Sequence, residues 1–205
     1  MGALDDWPLA PILRTQRLSL EPLRVDHADE MAPLLDDLRL FTFIGGSPST
    51  LEELRHRYEQ QVTTWSLDGH ERWLNWIVRD LGCGQAIGGM QATITVDDDT
   101  VLGELAWIVG ARHQRCGYAL EAARAMAVWL REQGARTLLA EIHPHHQASM
   151  AVARSLGLKP SDHVLESGEI RWTGDERRIL AVIATAALRS LRSAWRSRGA
   201  CGAGR

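Results

Sequence analysis

Alternating apolar and polar positions predict a strand and two helices in the first part of the chain. Residues 17–23 alternate as in a half-buried strand, and Asp26 is placed to cap a helix that runs to about residue 37. Thr50 and Glu53 form a capping box for a second helix to about residue 67. Two or three strands follow as an antiparallel meander, separated by glycine-rich and acidic turns, at residues 73–80, 85–96 and 101–109.

The second half of the chain alternates helical and strand patterns. Leu120, Ala123, Ala127 and Leu130 share one face of a helix that ends near Gly134. The elements predicted after it are a buried strand at 137–142, a helix at about 146–156 closed by Gly157, a hairpin within 163–172 around Ser167 and Gly168, and an amphipathic helix at 176–195, part of which would also suit a strand.

Composition narrows the class of protein without indicating its activity. With 205 residues, 45% hydrophobic and 24% charged, the chain is expected to form one core domain. A formal net charge of −3 provides no basic field for a nucleic acid backbone, so we expect no nucleic-acid partner.

The cysteines and the N-terminal residues indicate the cellular compartment. The three cysteines are scattered, which matches neither a disulfide framework nor a zinc site. Residues 1–11 lack the pattern of a signal peptide, and no apolar stretch is long enough to span a membrane. We therefore expect a cytoplasmic protein.

A small-residue turn between strand and helix carries the strongest functional signal. The apolar run ending at Val109 leads through a polar loop to residues 114–119, and a helical pattern follows directly. Backbone N–H groups at such a helix start are unpaired, which suits a phosphate or diphosphate. The alternative is a glycine that only ends a strand and starts a helix. The pattern predicts a phosphorylated cofactor.

Four segments together resemble the GNAT superfamily of acyl-CoA N-acyltransferases, especially its RimJ and RimL branch. They are residues 14–18 (Arg-Thr-Gln-Arg-Leu), the loop and helix at 41–58, the Gln-x-x-Gly-x-Ala turn at 114–119, and residues 143–158. The resemblance covers about 13–173. It implies an α/β (α+β) fold in which a mixed, mostly antiparallel sheet splays at the cofactor site between flanking helices. Residues 1–174 would form this domain, and 175–205 a helical extension.

The resemblance implies acetyl-CoA, or another acyl-CoA, as co-substrate. Pantetheine would pair with the strand at 107–109, and the diphosphate would lie on amides of the turn, where Gly117 permits close approach. Arg112 and Arg115 would add charge, unless they are ordinary solvated loop arginines. The residues expected to bind CoA are Trp107, Ile108, Val109, Arg112, Gln114, Arg115, Cys116, Gly117, Tyr118, Ala119, His146 and Ser149.

Two side chains are candidates for proton transfer. Glu104 matches a strand position from which some family members direct a carboxylate towards the amine, so it is the candidate general base. The alternative is an outward-facing carboxylate in an ion pair. Ser149 matches the position where RimL-like enzymes place a hydroxyl near the CoA sulfur, as general acid or sulfur contact. The alternative is a serine that only caps its helix.

Histidines and a cysteine near the site have less specific interpretations. His143, His145 and His146 crowd a strand-to-helix junction, but no carboxylate or cysteine completes a ligand set, so no metal is expected. His146 stands where many relatives have an asparagine that touches pantetheine. Cys116 has no identifiable partner base and is interpreted as a variable position of the turn.

The acceptor side is the least defined part of the sequence. Because the loop between the first two helices borders the acceptor pocket in relatives, Phe41, Phe43, Trp65 and Trp73 are candidates for its wall. The alternative is ordinary core packing.

The prediction is therefore an enzyme that transfers an acyl group, expected to be acetyl, to a primary amine of a small molecule or peptide by direct attack in a ternary complex. The alternatives are a CoA-binding sensor without turnover, and transfer from an acyl carrier protein or a non-acetyl donor. The C-terminal helix would pack on its own domain or bury its apolar face in a homodimer.

Overall fold

Eight strands form one sheet in the order β1-β2-β3-β4-β5-β6-β8-β7. The computed structural model describes Leu4, residues 7–97 and residues 100–175. The predicted helix at 176–195 and its dimer role therefore lie outside the described residues. The predicted domain boundary at 174 lies at their limit. The strands are β1 Leu13–Arg14, β2 Leu18–Pro22, β3 Arg72–Asp80, β4 Ala86–Asp97, β5 Thr100–Val109, β6 Thr137–Ile142, β7 Lys159–Val164 and β8 Ile170–Asp175; the helices are α1 Ala28–Leu35, α2 Leu51–Gln61, α3 Tyr118–Glu132 and α4 Gln147–Ser155.

The predicted meander and the alternation of helix and strand after it are confirmed. Strands β2 to β5 pair antiparallel in sequence order, and β6 has the predicted bounds. Helices α3 and α4 begin and end within two residues of the predicted positions. The hairpin forms between β7 and β8, with Gly168 at a φ of 87° in its turn. Among the described residues no helix is long and apolar enough to cross a bilayer.

Two predictions about the first helices were wrong in detail. Asp26 does not cap α1, because residues 25–27 form a 3₁₀ turn in which His27 Nδ1 accepts from the Arg24 N–H at 3.1 Å. The capping box of Thr50 and Glu53 is present, but α2 ends at Gln61 instead of near 67. Thr64 adopts a φ of 67°, a left-handed conformation that a continuing helix excludes.

The sheet opens between β5 and β6, the only parallel pair in the described sheet. These strands pair at three positions, from Leu102–Thr137 to Glu104–Leu139. Beyond Glu104, residues 105–109 still pair with β4, while the end of β6 pairs only with β8. The described part of the sheet therefore presents a free backbone edge on β5, facing a wedge between two diverging strands.

Strand alternation assigns the two faces of β5 to different surroundings. Leu105 is buried in the main core, and Trp107 packs against that core, which includes the α3 residues Met126 and Leu130. Because side chains alternate along a strand, Glu104 points to the opposite face of the sheet. A second cluster on α1 and α2 includes Met31 and Leu54. Residues from both faces of β5, among them Trp107 and Glu104, therefore border the space at the wedge.

Candidate functional site

A cavity of about 890 Å³ lies where β5 and β6 diverge. Its wall combines the free edge of β5, the end of β6, the starts of α3 and α4, and part of the loop between α1 and α2. One connected space therefore reaches from the α3 turn to the carboxylate of β5. Its lining includes Arg39, Leu40, Phe43, Ile44, Glu104–Val109, His113–Arg115, Gly117–Leu120, Ala140–His143, His145–Ser149 and Glu169.

The turn before α3 has the backbone of an anion site. Gly117 is the N-cap of α3 at a φ of 81°, and Arg115 also lies in the left-handed region at 63°. No side chain caps the helix at Gly117 among the described residues, so N–H groups of its first turn stay available to a ligand. Gln114 Nε2 donates to the Val109 carbonyl at 3.0 Å and ties the turn to the end of β5.

Glu104 lines the cavity from β5. It is half-buried and makes no hydrogen bond or ion pair with the described residues. Burial raises the pKa of Glu104, the nearby Glu141 raises it further, and Arg171 opposes them. A carboxylate with free oxygens and a raised pKa can accept a proton from a ligand in the cavity.

Ser149 lies across the wedge from β5. Its Oγ accepts a hydrogen bond from Trp107 Nε1 at 3.2 Å, a contact that joins α4 to β5. The N-cap of α4 is His146, and no side-chain cap is formed there among the described residues. Ser149 therefore does not cap α4, and its hydroxyl proton stays available for donation.

Aromatic and imidazole rings border the mouth of the cavity. The Phe43 ring lies 4.6 Å from that of His146 and 5.4 Å from that of His143. Burial lowers the pKa of His146, and His143 lowers it further. In the described part of the chain, no group of three or more His, Cys, Asp or Glu residues is arranged to hold a metal ion. The Phe43 ring contacts both imidazole rings, and all three rings line the cavity.

A family comparison decides the class of protein. The family model described as "Acetyltransferase (GNAT) domain" matches residues 17–159, more than half of the chain. The chain belongs to the GNAT acetyltransferases. It is an acyl-CoA-dependent acetyltransferase, and the predicted resemblance to this superfamily is confirmed. No curated protein matches the sequence significantly.

Solved structures with low sequence identity share the fold of this acetyltransferase. An acetyltransferase from Agrobacterium tumefaciens is 24% identical with a TM-score of 0.64, covering 85% of this chain and all (100%) of its own. A RimL ribosomal alpha-N-protein acetyltransferase in complex with coenzyme A is 14% identical with a TM-score of 0.65, covering 80% and 98%. MccE, a microcin self-immunity acetyltransferase in complex with acetyl-CoA and AMP, is 11% identical with a TM-score of 0.64, covering 78% and 93%.

The cavity of the acetyltransferase brings together most of the residues predicted to hold CoA. Arg112 and Cys116 do not belong to the cavity wall formed by the described residues. Cys116 is exposed, and its Sγ donates to the Gln114 carbonyl at 3.5 Å. The predicted CoA residues in the wall are Trp107, Ile108, Val109, Gln114, Arg115, Gly117, Tyr118, Ala119, His146 and Ser149.

The candidates for the acceptor wall are not brought together. Phe43 lines the cavity, whereas Phe41, Trp65 and Trp73 are absent from the part of its wall that the structure describes. Trp65 lies after α2, which ends earlier than predicted. The Arg72 Cζ lies over the Trp65 ring, 4.6 Å from the centre of that ring. Trp73 Nε1 donates to Glu71 at 2.9 Å. The acceptor role of these three residues stays a prediction.

Sequence reasoning missed two carboxylates of the acetyltransferase cavity, Glu141 on β6 and Glu169 at the β7–β8 turn. Glu141 Oε1 accepts from Arg171 at 2.7 Å. The partners come from adjacent strands that are far apart in the chain, so no local spacing pattern indicates the pair. Alternation along β6 was the one available signal, because it sets Glu141 apart from its buried neighbours Ala140 and Ile142.

Proposed function

We propose that this acetyltransferase moves an acetyl group from acetyl-CoA to a primary amine by direct attack in a ternary complex. The observation that carries the proposal is that Glu104 and Ser149 line one cavity from β5 and α4, on the two sides of the wedge. A proton acceptor and a proton donor thus face one space.

The described residues fit CoA in its shape and charge. The uncapped first turn of α3 suits the diphosphate, and the free edge of β5 from Leu105 to Val109 suits the pantetheine amides. Arg115 adds a positive charge in the same wall. Acetyl-CoA supplies an acetyl group activated as a thioester. The chain itself has to orient that group, accept a proton and donate one.

Glu104 is the proton acceptor in this proposal. The attacking amine has to be neutral, and Glu104 is a free carboxylate in the cavity wall with a raised pKa. A raised pKa makes the carboxylate a stronger base than an exposed glutamate. Glu141, in contrast, is already engaged by Arg171, which leaves it less able to accept a proton.

Ser149 is the proton donor to the departing thiolate. A hydroxyl has one proton and two lone pairs, and the Trp107 N–H occupies a lone pair at 3.2 Å. The Ser149 proton is left free, and the indole holds the oxygen at the wedge. Trp107 therefore orients the donor as well as lining the cavity.

We expect Ser149→Ala to lower kcat by about tenfold to a hundredfold, with a smaller change in KM for acetyl-CoA. Trp107→Phe removes the N–H donor together with part of the ring, and it should lower kcat in the same direction; Trp129→Phe removes the same atoms elsewhere. Steady-state rates of thiol release measure both variants. The matched control is Trp129→Phe, because this indole is half-buried on α3 and lies outside the described cavity wall. Unchanged kcat in Ser149→Ala would contradict the donor role.

The acceptor is proposed to be a small amine or the N-terminus of a peptide. The solved relatives include an enzyme named for a ribosomal protein and another named for microcin immunity. In this chain, the Phe43 and His146 rings pack together in the cavity wall, and Glu104 adds a carboxylate without an ion-pair partner among the described residues. An amine attached to an apolar group matches this combination.

The decisive experiment is to incubate the protein with acetyl-CoA and a panel of small amines and short peptides, and to measure thiol release and the acetylated product. Turnover that depends on Glu104 supports the proposal. CoA binding without turnover on any amine would indicate a binding module instead. Turnover only with acyl carrier protein or longer acyl-CoA donors would change the proposed donor.

A further inference from the structure

The opening segment at residues 14–18 carries part of the family resemblance, yet the proposed chemistry does not use it. In the structure its side chains reach the turn before α3, about 100 residues away in the chain. Thr15 and Arg17 both contact Glu121, the fourth residue of α3. This segment therefore contacts the residues that form the proposed diphosphate site.

Arg17 makes a connected set of bonds around the turn. Its Nε donates to Glu121 Oε2 at 2.7 Å, and its Nη1 donates to the Cys116 carbonyl at 3.1 Å. Its Cζ lies 4.7 Å from the centre of the Tyr118 ring. One guanidinium thus fixes the residues on both sides of Gly117.

Glu121 is held by more than the guanidinium. Its Oε1 accepts from the Arg17 backbone N–H at 3.0 Å and from the Thr15 hydroxyl at 2.6 Å. The first turn of α3 is therefore joined to the start of β2 through a carboxylate that four donor groups surround.

A second strand supports the same turn through a different residue. The Tyr118 hydroxyl donates to Asp80 Oδ2 at 2.7 Å, and Asp80 Oδ1 accepts from the Gly82 N–H at 2.7 Å. Asp80 is the last residue of β3, so this bond ties the first residue of α3 to the sheet. Two independent attachments, from the segment that precedes β2 and from β3, meet on residues 116–121.

The orientation of one carbonyl explains why these attachments matter for a ligand. The Cys116 carbonyl points to Arg17, so it is held away from a phosphate on the amide side of the turn. An anion at a helix start needs its N–H donors aimed together, and a carbonyl turned towards it would repel it. Holding the turn in this state before binding lowers the conformational entropy lost on binding.

We propose that Thr15, Arg17 and Asp80 are positioning residues that hold residues 114–119 in the conformation that accepts the CoA diphosphate. Arg17 acts through the Cys116 carbonyl and Glu121 and does not act as a phosphate ligand. This inference rests on the proposed binding of CoA at the turn.

The first test compares steady-state kinetics of Arg17→Ala with those of wild type. We expect KM for acetyl-CoA to rise about tenfold, with kcat within about twofold, because binding is weakened and the reacting groups are unchanged. Arg17→Lys should recover part of the loss. The matched control is Arg24→Ala, which removes an exposed arginine paired with Asp26 at 3.0 Å, and its KM should be unchanged.

Glu121→Ala distinguishes positioning from direct contact. If Arg17 bound the phosphate itself, removal of its carboxylate partner would leave CoA binding equal or tighter. The positioning role predicts a KM rise similar to that of Arg17→Ala, and a double variant with less than the additive loss. A Glu121→Ala protein with unchanged or tighter CoA binding would overturn the proposal.

Amide hydrogen exchange at the start of α3 provides a readout without catalysis, because the Glu121 N–H donates to the Gly117 carbonyl at 3.1 Å. In the CoA-free protein, Arg17→Ala should exchange faster at this amide, while denaturant unfolding shows the rest of the fold intact. Unchanged exchange at the Glu121 amide would overturn the proposal. If wild-type protein binds no CoA, the proposed function fails instead, and the exchange result still reports on the turn.

Discussion

Gly117→Val is expected to weaken CoA binding by at least about 100-fold, or about 2.8 kcal/mol. Gly117 lies at a φ of 81°, which a β-branched residue adopts only with strain. A Cβ built at this position has Arg17 Nη2 as its nearest neighbour at 3.5 Å, so space inside the protein does not explain the loss. The turn has to leave its conformation to relieve the strain, and its N–H donors then diverge.

Calorimetric titration with CoA measures this effect. Gly69→Val is the matched control, since Gly69 has a similar φ of 73°, no neighbour within 4 Å of an added Cβ and no place in the described cavity wall. It should show a similar local strain with unchanged CoA affinity. Gly117→Ala should fall between wild type and Gly117→Val. Full affinity in Gly117→Val would remove the main support for a diphosphate site at the turn.

Glu104→Gln is expected to lower kcat by about a hundredfold to a thousandfold, while KM for acetyl-CoA changes little. The amide keeps the size of the side chain but cannot accept a proton from the amine. Stopped or continuous thiol-release assays at saturating acetyl-CoA measure kcat. Glu141→Gln is the comparison on the adjacent strand, where the carboxylate is already paired with Arg171, and its loss should stay below about tenfold. Equal losses in the two variants would contradict the assignment of the base to Glu104.

The raised pKa of Glu104 also predicts how rate and stability depend on pH. The acid limb of kcat/KM should lie above the ordinary glutamate pKa of about 4.3, and Glu104→Gln should lose that limb.

The same raised pKa affects the stability of the fold. A folded-state pKa above the unfolded value means that the folded protein binds this proton more tightly. The corresponding stability is present below the unfolded pKa and is lost as pH rises through the folded pKa. Glu104→Gln should therefore melt at a higher temperature than wild type near pH 7, with a smaller difference near pH 4. An equal difference in melting temperature at both pH values would contradict a half-buried carboxylate without a partner.

The turn and the strands around it could be predicted because their signals are local. Strand periodicity, the capping box at Thr50 and the Gln114-to-Ala119 spacing each lie within one segment, and the structure confirms the elements that they predict. The cap of α1 was missed because residues 25–27 form a 3₁₀ turn, which places His27 before α1 and leaves Asp26 paired with Arg24.

The surroundings of Glu104 in the cavity could be predicted only in part. Glu104 was found through family resemblance. That it has no ion-pair partner among the described residues depends on Arg171 of β8, which pairs with Glu141 on the adjacent strand β6. Trp65 was a candidate for the acceptor wall because the loop between the first two helices borders that pocket in relatives. In the structure, α2 ends at Gln61 and the Trp65 ring lies against the Arg72 guanidinium. Such outcomes depend on long-range packing, which spacing along the chain does not encode.

The short parallel pairing of β5 with β6 divides the sheet into two hydrogen-bonded blocks, one of five strands and one of three, joined by three residue pairs. A ligand that bridges β5 and α4 would connect these blocks where the backbone does not. Part of its binding energy would then appear as added stability of the contact between the two blocks. The wedge proposed to admit acetyl-CoA is thus also the place where a ligand can replace backbone pairing between the two parts of the sheet.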